Sequence, residues 1–169
     1  MIKHPEQRVG VFVDVQNMYH SARNLYNNSR VNFKELLKTA VAGRKLVSAT
    51  AYVIKSESKE ETGFFEALDS QGFKVKMKDL QTFSSGAKKA DWDVGLAVDI
   101  IKIAPKLDVV VLVSGDGDFT PLAEYLQNHG MQVEVVAFGK TTSHMIIEQA
   151  DDFIDLSENP RKFLIRKYQ

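Results

Sequence analysis

Apolar residues along this chain follow two rhythms. Short continuous runs at 9–15, 46–54, 73–77, 109–113 and 133–138 are rich in valine. Runs without polar alternation predict strands covered on both faces, as in a parallel sheet. Between them the period lengthens. Phe33, Leu36, Leu37, Ala40 and Val41 follow the i, i+3, i+4, i+7, i+8 pattern of an amphipathic helix, and Phe64, Phe65 and Leu68 repeat it before a stop at Gly72. Residues 94–104 are apolar nearly all round and predict a deeply packed helix. Thr120 and Pro121 read as an N-cap and first-turn proline of another helix, ending at Gly130. Strands alternating with helices predict an α/β three-layer sandwich with a central, mainly parallel sheet and right-handed crossovers. The strand order assumed is 3-2-1-4-5.

Composition narrows the class. A chain of 169 residues with 44% hydrophobic content is one ordinary domain. We place it at residues 1–158, followed by a basic C-terminal tail at 159–169; residues 84–89, SSGAKK, read as a loop. With no cysteine, disulfides, thiolate metal sites and cysteine nucleophiles are excluded. The apolar runs are too short to span a bilayer and the first residues carry no apolar leader, so a soluble cytoplasmic protein without membrane partners is expected.

The formal net charge is zero, which excludes a strongly basic, indiscriminate polyanion binder. The total hides an uneven distribution. Residues 1–90 hold 15 basic and 9 acidic side chains, residues 91–158 hold 3 and 13, and residues 159–169 hold 4 and none.

Part of the acidic excess sits where ligands bind in such sheets, outside the carboxyl ends of the strands where the order reverses. Asp14 ends the first strand in GVFVDVQN. Asp116 and Asp118 follow the fourth in SGDGDF, and Asp93 opens the helix in KKADWDVGLAVD. Converging carboxylates repel one another, and a hard cation that prefers oxygen ligands, Mg²⁺ or Mn²⁺, relieves the repulsion. Gly115 and Gly117 are expected to let the loop turn tightly, and Ser114 and Asn17 can orient a ligand or a metal-held water. Each residue also has an ordinary reading. An Asp at a strand end caps a helix, DGD makes a turn, and Asp93 complements a helix dipole. Only their coincidence at the strand tips points to a metal site. His4, His20, His129 and His144 are scattered and read as surface or structural.

The segments GVFVDVQNMY, DVGLAVDI after KKADW, VVVLVSGDGDFTPLAEYLQNHGMQVEVV and QADDFIDL together resemble the NYN domain, in particular its LabA-like branch within the PIN-like nuclease group, over about residues 8–157. The resemblance implies a PIN-like, Rossmann-like α/β fold and a metal-dependent ribonuclease-type site acting on RNA. Asp14, Asp93, Asp116 and Asp118 match the family's acidic positions, Asn17 its asparagine after the first strand, and Ser114 its serine before the acidic loop. Asp99 matches a recurrent aspartate. It lies about 120° round the helix from Asp93 and is ranked as a supporting group. Asp91-Trp92 departs from the family pattern and leaves both Asp91 and Asp93 as candidate ligands, with the DVxL register favouring Asp93.

An RNA substrate needs cationic contacts. Lys74, Lys76 and Lys78 alternate along one face of an outer strand, where they either touch RNA or guard the edge against pairing. Lys88 and Lys89 lie in the loop before the acidic helix, and Arg161, Lys162, Arg166 and Lys167 in the tail, each set either phosphate-binding or simply solvated. Two functions stay open: a Mg²⁺- or Mn²⁺-dependent endoribonuclease-type hydrolase, and a catalytically silent regulatory module of the same fold that binds RNA or a protein partner. A homodimer is compatible with either, since Phe12 and Met145 can be core or interface. An aspartyl phosphatase is disfavoured because Asp14 is not followed by a D-x-D pattern, and a dinucleotide site because DVQN replaces the glycine-rich turn.

Overall fold

Seven residues from Arg8 to Asp14 form the first strand, β1, and all but its two ends are buried. It lies at the centre of a six-stranded sheet in a computed structural model that describes residues 3–56, 60–86 and 88–165, with residues 60, 82, 88 and 89 by backbone alone. The other strands are β2 (Lys45–Lys55), β3 (Lys74–Asp79), β4 (Val109–Val113), β5 (Gln132–Ala137) and β6 (Asp152–Asp155). The order is β3-β2-β1-β4-β5-β6 and every pairing is parallel. Five strands thus stand in the expected order, and β6 adds a sixth that the apolar runs did not predict. Its sequence, DFID, places no fully buried side chain.

Helices cover both faces. On one, α1 (Val15–Leu25), α2 (Phe33–Val41) and α3 (Glu60–Ser70) pack through Met18, Leu36 and Leu68 on the valines of β1 and β4. On the other, α4 (Asp93–Ile103), α5 (Thr120–Asn128) and α6 (His144–Gln149) pack through Leu96, Ile100, Leu126 and Ile146 on Phe12, Tyr52 and Leu112. The change of face comes between β1 and β4, and this switch point is where an open α/β sheet leaves a crevice at its carboxyl edge. No helix among the described residues is long and apolar enough to cross a membrane.

Several expectations are corrected, among them the N-cap at Thr120, which is the first residue of α5 while Phe119 holds the cap position without a side-chain bond. The run at 9–15 ends one residue early, because Val15 begins α1, with Asp14 as N-cap accepting the Asn17 N–H. The apolar stretch at 94–104 is not deeply packed. Only Leu96 and Ile100 of α4 are buried, while Val94 is 75% exposed and Val98 and Ile101 are each 42% exposed. One side of α4 meets the sheet and the other faces out, leaving an apolar stripe at i, i+4, i+7. Phe12 is core and Met145 is exposed.

Of the expected tail, Pro160–Phe163 forms a short helix and Leu164–Ile165 pairs antiparallel with Arg30–Val31, burying Phe163 and Leu164. Arg161 and Lys162 are exposed, and Arg166 and Lys167 lie outside the described residues. The segment at 84–89 is not loop throughout, since Lys88–Lys89 pairs with Gln81–Thr82.

Candidate metal centre

Three chain segments bring their carboxylates to the switch point. Asp93 opens α4, and Asp116 and Asp118 ride on the loop after β4. One carboxylate oxygen of each lies within 4.8 Å of the others. Asp14 stands beside them at the tip of β1 and lines the same cleft, of about 350 Å³, with Asp91, Asp93 and Asp116.

The loop is held from below by side chains whose own partners are fixed. Ser114 is fully buried. Its Oγ donates to Asp14 Oδ2 at 3.0 Å and accepts the Asp116 N–H at 3.2 Å. Asn17 Oδ1 accepts the Gly115 N–H at 2.9 Å. Asp116 Oδ1 accepts the Asp118 N–H at 2.9 Å, closing a tight turn that points both carboxylates the same way. Ser114 and Asn17 therefore tie β1 to the acidic loop across the switch point.

Gly115 and Gly117 are needed for space rather than for conformation, because neither is among the glycines with positive φ. A Cβ at Gly115 would meet Thr142 Oγ1 at 2.7 Å and Thr142 Cα at 3.2 Å, and one at Gly117 would meet Ser143 Oγ at 2.6 Å. The segment before α6 presses directly on the acidic loop.

Electrostatics record the crowding. Asp93 is pushed up to about 6, first by burial and then by Asp116, Asp91, Asp14 and Asp118. Asp14 is raised by burial and by Asp116 and Asp91, against the lowering effect of its bonds from Asn17 and Ser114. Carboxylates raised by one another favour either a proton or a cation between them. With an oxygen-only donor set, the cation that fits is a hard divalent ion such as Mg²⁺ or Mn²⁺.

Asp91 is exposed and its Oδ1 accepts the Asp93 N–H at 3.2 Å, so it caps the start of α4 while Asp93 joins the cluster. Asp99 points away from the cluster, accepting Tyr52 Oη at 2.9 Å and Lys76 Nζ at 2.6 Å. Burial would raise its carboxyl, but Lys76 and Tyr52 outweigh it and hold it low. Lys76 is thus committed to an ion pair. Lys78 donates to the Asp91 carbonyl at 2.9 Å and lies 5.0 Å above the Trp92 ring, at the rim of the site. Lys74 is exposed on the edge strand, and the side chains of Lys88 and Lys89 lie outside the description.

The cleft also contains residues that the sequence did not place in the site: Gln16 and Asn24 from α1, His20, which reads from sequence as surface or structural, Trp92, and Thr141. The signal lay in the i, i+4, i+8 spacing of 16, 20 and 24, which becomes readable only once α1 is recognised as a helix. Trp92 is fixed by its Nε1–H, which donates to the Val53 carbonyl at 2.9 Å, and by an edge contact with Tyr52.

Relatives agree with this architecture. The chain is 27% identical over 160 residues to Low amplitude and bright protein LabA from Synechococcus elongatus, a match covering 89% of this chain and 84% of that protein. The crystal structure of a protein of unknown function from Vibrio parahaemolyticus superposes with a TM-score of 0.87 at 36% identity, covering 98% of this chain and all of the other. The pattern of the NYN domain matches residues 8–157, from the start of β1 to just past β6. The chain belongs to the NYN domain family.

Proposed function

We propose that this protein is a metal-dependent ribonuclease that hydrolyses RNA phosphodiester bonds at its aspartate cluster. The observation that carries the proposal is the convergence of Asp93, Asp116 and Asp118 within 4.8 Å at the switch point of the sheet. Membership of the NYN family supports RNA as the substrate class, through the resemblance of that domain to PIN-like nucleases. In this reading Asp93, Asp116 and Asp118 hold Mg²⁺ or Mn²⁺, and Asp14 completes the acidic wall. A divalent ion there would lower the pKa of a water and offset the charge of a phosphate.

The chain's own groups do the rest. Asp118, the most exposed of the three, would share in holding the ion while staying open to solvent, so it can orient an incoming water. Asp14 is held by Ser114 and Asn17 in a fixed orientation, which spares reorganisation when substrate arrives. Lys78 at the rim is the cation best placed to meet a phosphate, whereas Lys76 is committed to Asp99. Lys74, exposed on β3 at one edge of the sheet, then serves as an edge guard.

The test is cleavage of a labelled single-stranded RNA with Mn²⁺ by the wild-type chain and by Asp116→Asn. The expected result is cleavage by the wild type and a loss of about 10–100-fold or more in the variant, as for the loss of a group at a metal site. Equal rates in the two proteins would sink the proposal.

A further inference from the structure

The cleft beside the carboxylates has a wall that the proposed hydrolysis does not use. Gln16, His20 and Asn24 recur every fourth residue along α1, and all three line the cleft that holds Asp14, Asp93 and Asp116. Four-residue spacing stacks them on one face, as a stripe about 12 Å long at 1.5 Å per residue. The opposite, buried face of α1 carries Val15, Met18 and Ala22. Gln16 is half-buried, His20 and Asn24 are exposed, and none of the three side chains makes a hydrogen bond to another side chain or to the backbone among the described residues. Their donors and acceptors are therefore uncommitted.

The stripe faces a rigid aromatic boundary. Trp92 lines the same cleft and is pinned by Val53 and Tyr52, and the α1 side is fixed by the Thr141–Ser21 hydroxyl contact at 3.0 Å. A fixed aromatic group on one side and the carboxamides of Gln16 and Asn24 on the other suit a planar, polar-edged ligand better than a phosphate, which would call for cations. A carboxamide offers a donor and an acceptor side by side, the pattern that pairs with the edge of a nucleobase. Single-stranded RNA presents such edges unpaired.

We propose that Gln16, His20 and Asn24 form a base-reading subsite for single-stranded RNA. It holds the base of a nucleotide next to the phosphate at the aspartate cluster and selects substrate by hydrogen bonds rather than by charge. This inference rests on the nuclease reading of the aspartate cluster and adds to it where the substrate strand runs.

The test measures binding of a fluorescent single-stranded RNA octamer with hydrolysis-resistant phosphorothioate linkages, in Mg²⁺, over a range of salt concentrations. The proteins are the wild type, the double variant Gln16→Ala/Asn24→Ala, and His20→Ala alone. Mn²⁺ affinity is measured in each to check that the fold and the aspartate cluster are intact. The expected result is a loss of RNA affinity of about tenfold or more in the double variant, with Mn²⁺ affinity unchanged. The slope of log affinity against log salt should match that of the wild type, because no phosphate contact is removed. His20→Ala, the milder change, should lose affinity in the same sense. If the wild type binds RNA and the variants bind it equally well, the subsite is overturned and the nuclease reading stands. A reduced salt slope in the double variant also overturns base reading, since it would make the stripe a phosphate contact. If the wild type binds no RNA, the nuclease reading fails and the subsite with it.

Discussion

Ser114 shows how much a single hydroxyl can hold. It is fully buried and satisfies two charged segments at once, the Asp14 carboxylate and the Asp116 N–H. Ser114→Ala should leave that half-buried N–H and one Asp14 oxygen without their partner, at a cost of about 1–3 kcal/mol of stability. It should also weaken Mn²⁺ binding about 10–100-fold by loosening the acidic loop, as loss of a supporting group does at metal sites. Thermal unfolding and calorimetric titration check the two effects separately. Asp93 gives a pH signature. Its folded pKa of about 6 lies above the ordinary value near 4, so the stability it contributes is full at low pH and lost as pH rises through about 6. Without divalent ions, the wild type should therefore lose stability relative to Asp93→Asn between about pH 4 and 6. Mn²⁺ at neutral pH should restore the wild type and do little for the variant. Thermal melts across that range, with and without Mn²⁺, provide the check.

At the scale of elements, the chain's own pattern located five strands and four helices, and the reasons for the misses are physical. Helix α1 hides because its buried face is built partly from small and polar residues, Ser21 and Ala22 beside Val15 and Met18, so no apolar period stands out. Strand β6 hides because it is a four-residue edge strand with every side chain half-buried. The site was more legible than the elements that carry it. Of the four aspartates expected to share a cation, Asp93, Asp116 and Asp118 meet, while Asp14 lines the cleft beside them. What spacing could not reveal was the division of labour among the remaining groups. Asp99 turns to Lys76, Asp91 turns to a cap, and Gly115 and Gly117 make room for a neighbouring segment. The last point is testable: Gly115→Ala drives a Cβ toward Thr142 and should cost about 1–3 kcal/mol in thermal melts, as overpacking does. An unchanged melting temperature would show that the 139–143 segment yields freely.

The end of the sheet away from the site carries a buried ion pair. Arg44 donates to both carboxylate oxygens of Glu134, each at 2.8 Å, with both side chains fully buried. Its remaining donors reach the carbonyls of Val41 and Ala40, which close the end of α2, and Gln7 Oε1. Removing one partner strands a buried charge, so Arg44→Met should cost about 3–5 kcal/mol. At about 2–4 °C per kcal/mol for a chain of this size, the melting temperature should fall by roughly 6–20 °C. Burial alone would raise the Glu134 carboxyl, but Arg44 and Lys3 outweigh it and hold it low. The stability it contributes is therefore present above the ordinary carboxylate pKa and is lost as pH falls below it. Acid should weaken this end of the sheet while it relieves repulsion at the other, where the carboxylates gather.

That division also resolves the neutral net charge. Excess acid is concentrated in residues 91–158, which carry three of the four aspartates around the cleft, while Lys78 and the polar stripe of α1 are the groups proposed to hold a strand. Titration of the metal-free protein with Mn²⁺, read by calorimetry, bears most directly on the aspartate cluster as a cation site. The wild type should bind Mn²⁺ saturably and release protons as it does so, because Asp93 is partly protonated near pH 6, and Asp116→Asn should lose most of that affinity. Absence of saturable binding in the wild type, or equal affinity in the two proteins, would contradict the assignment.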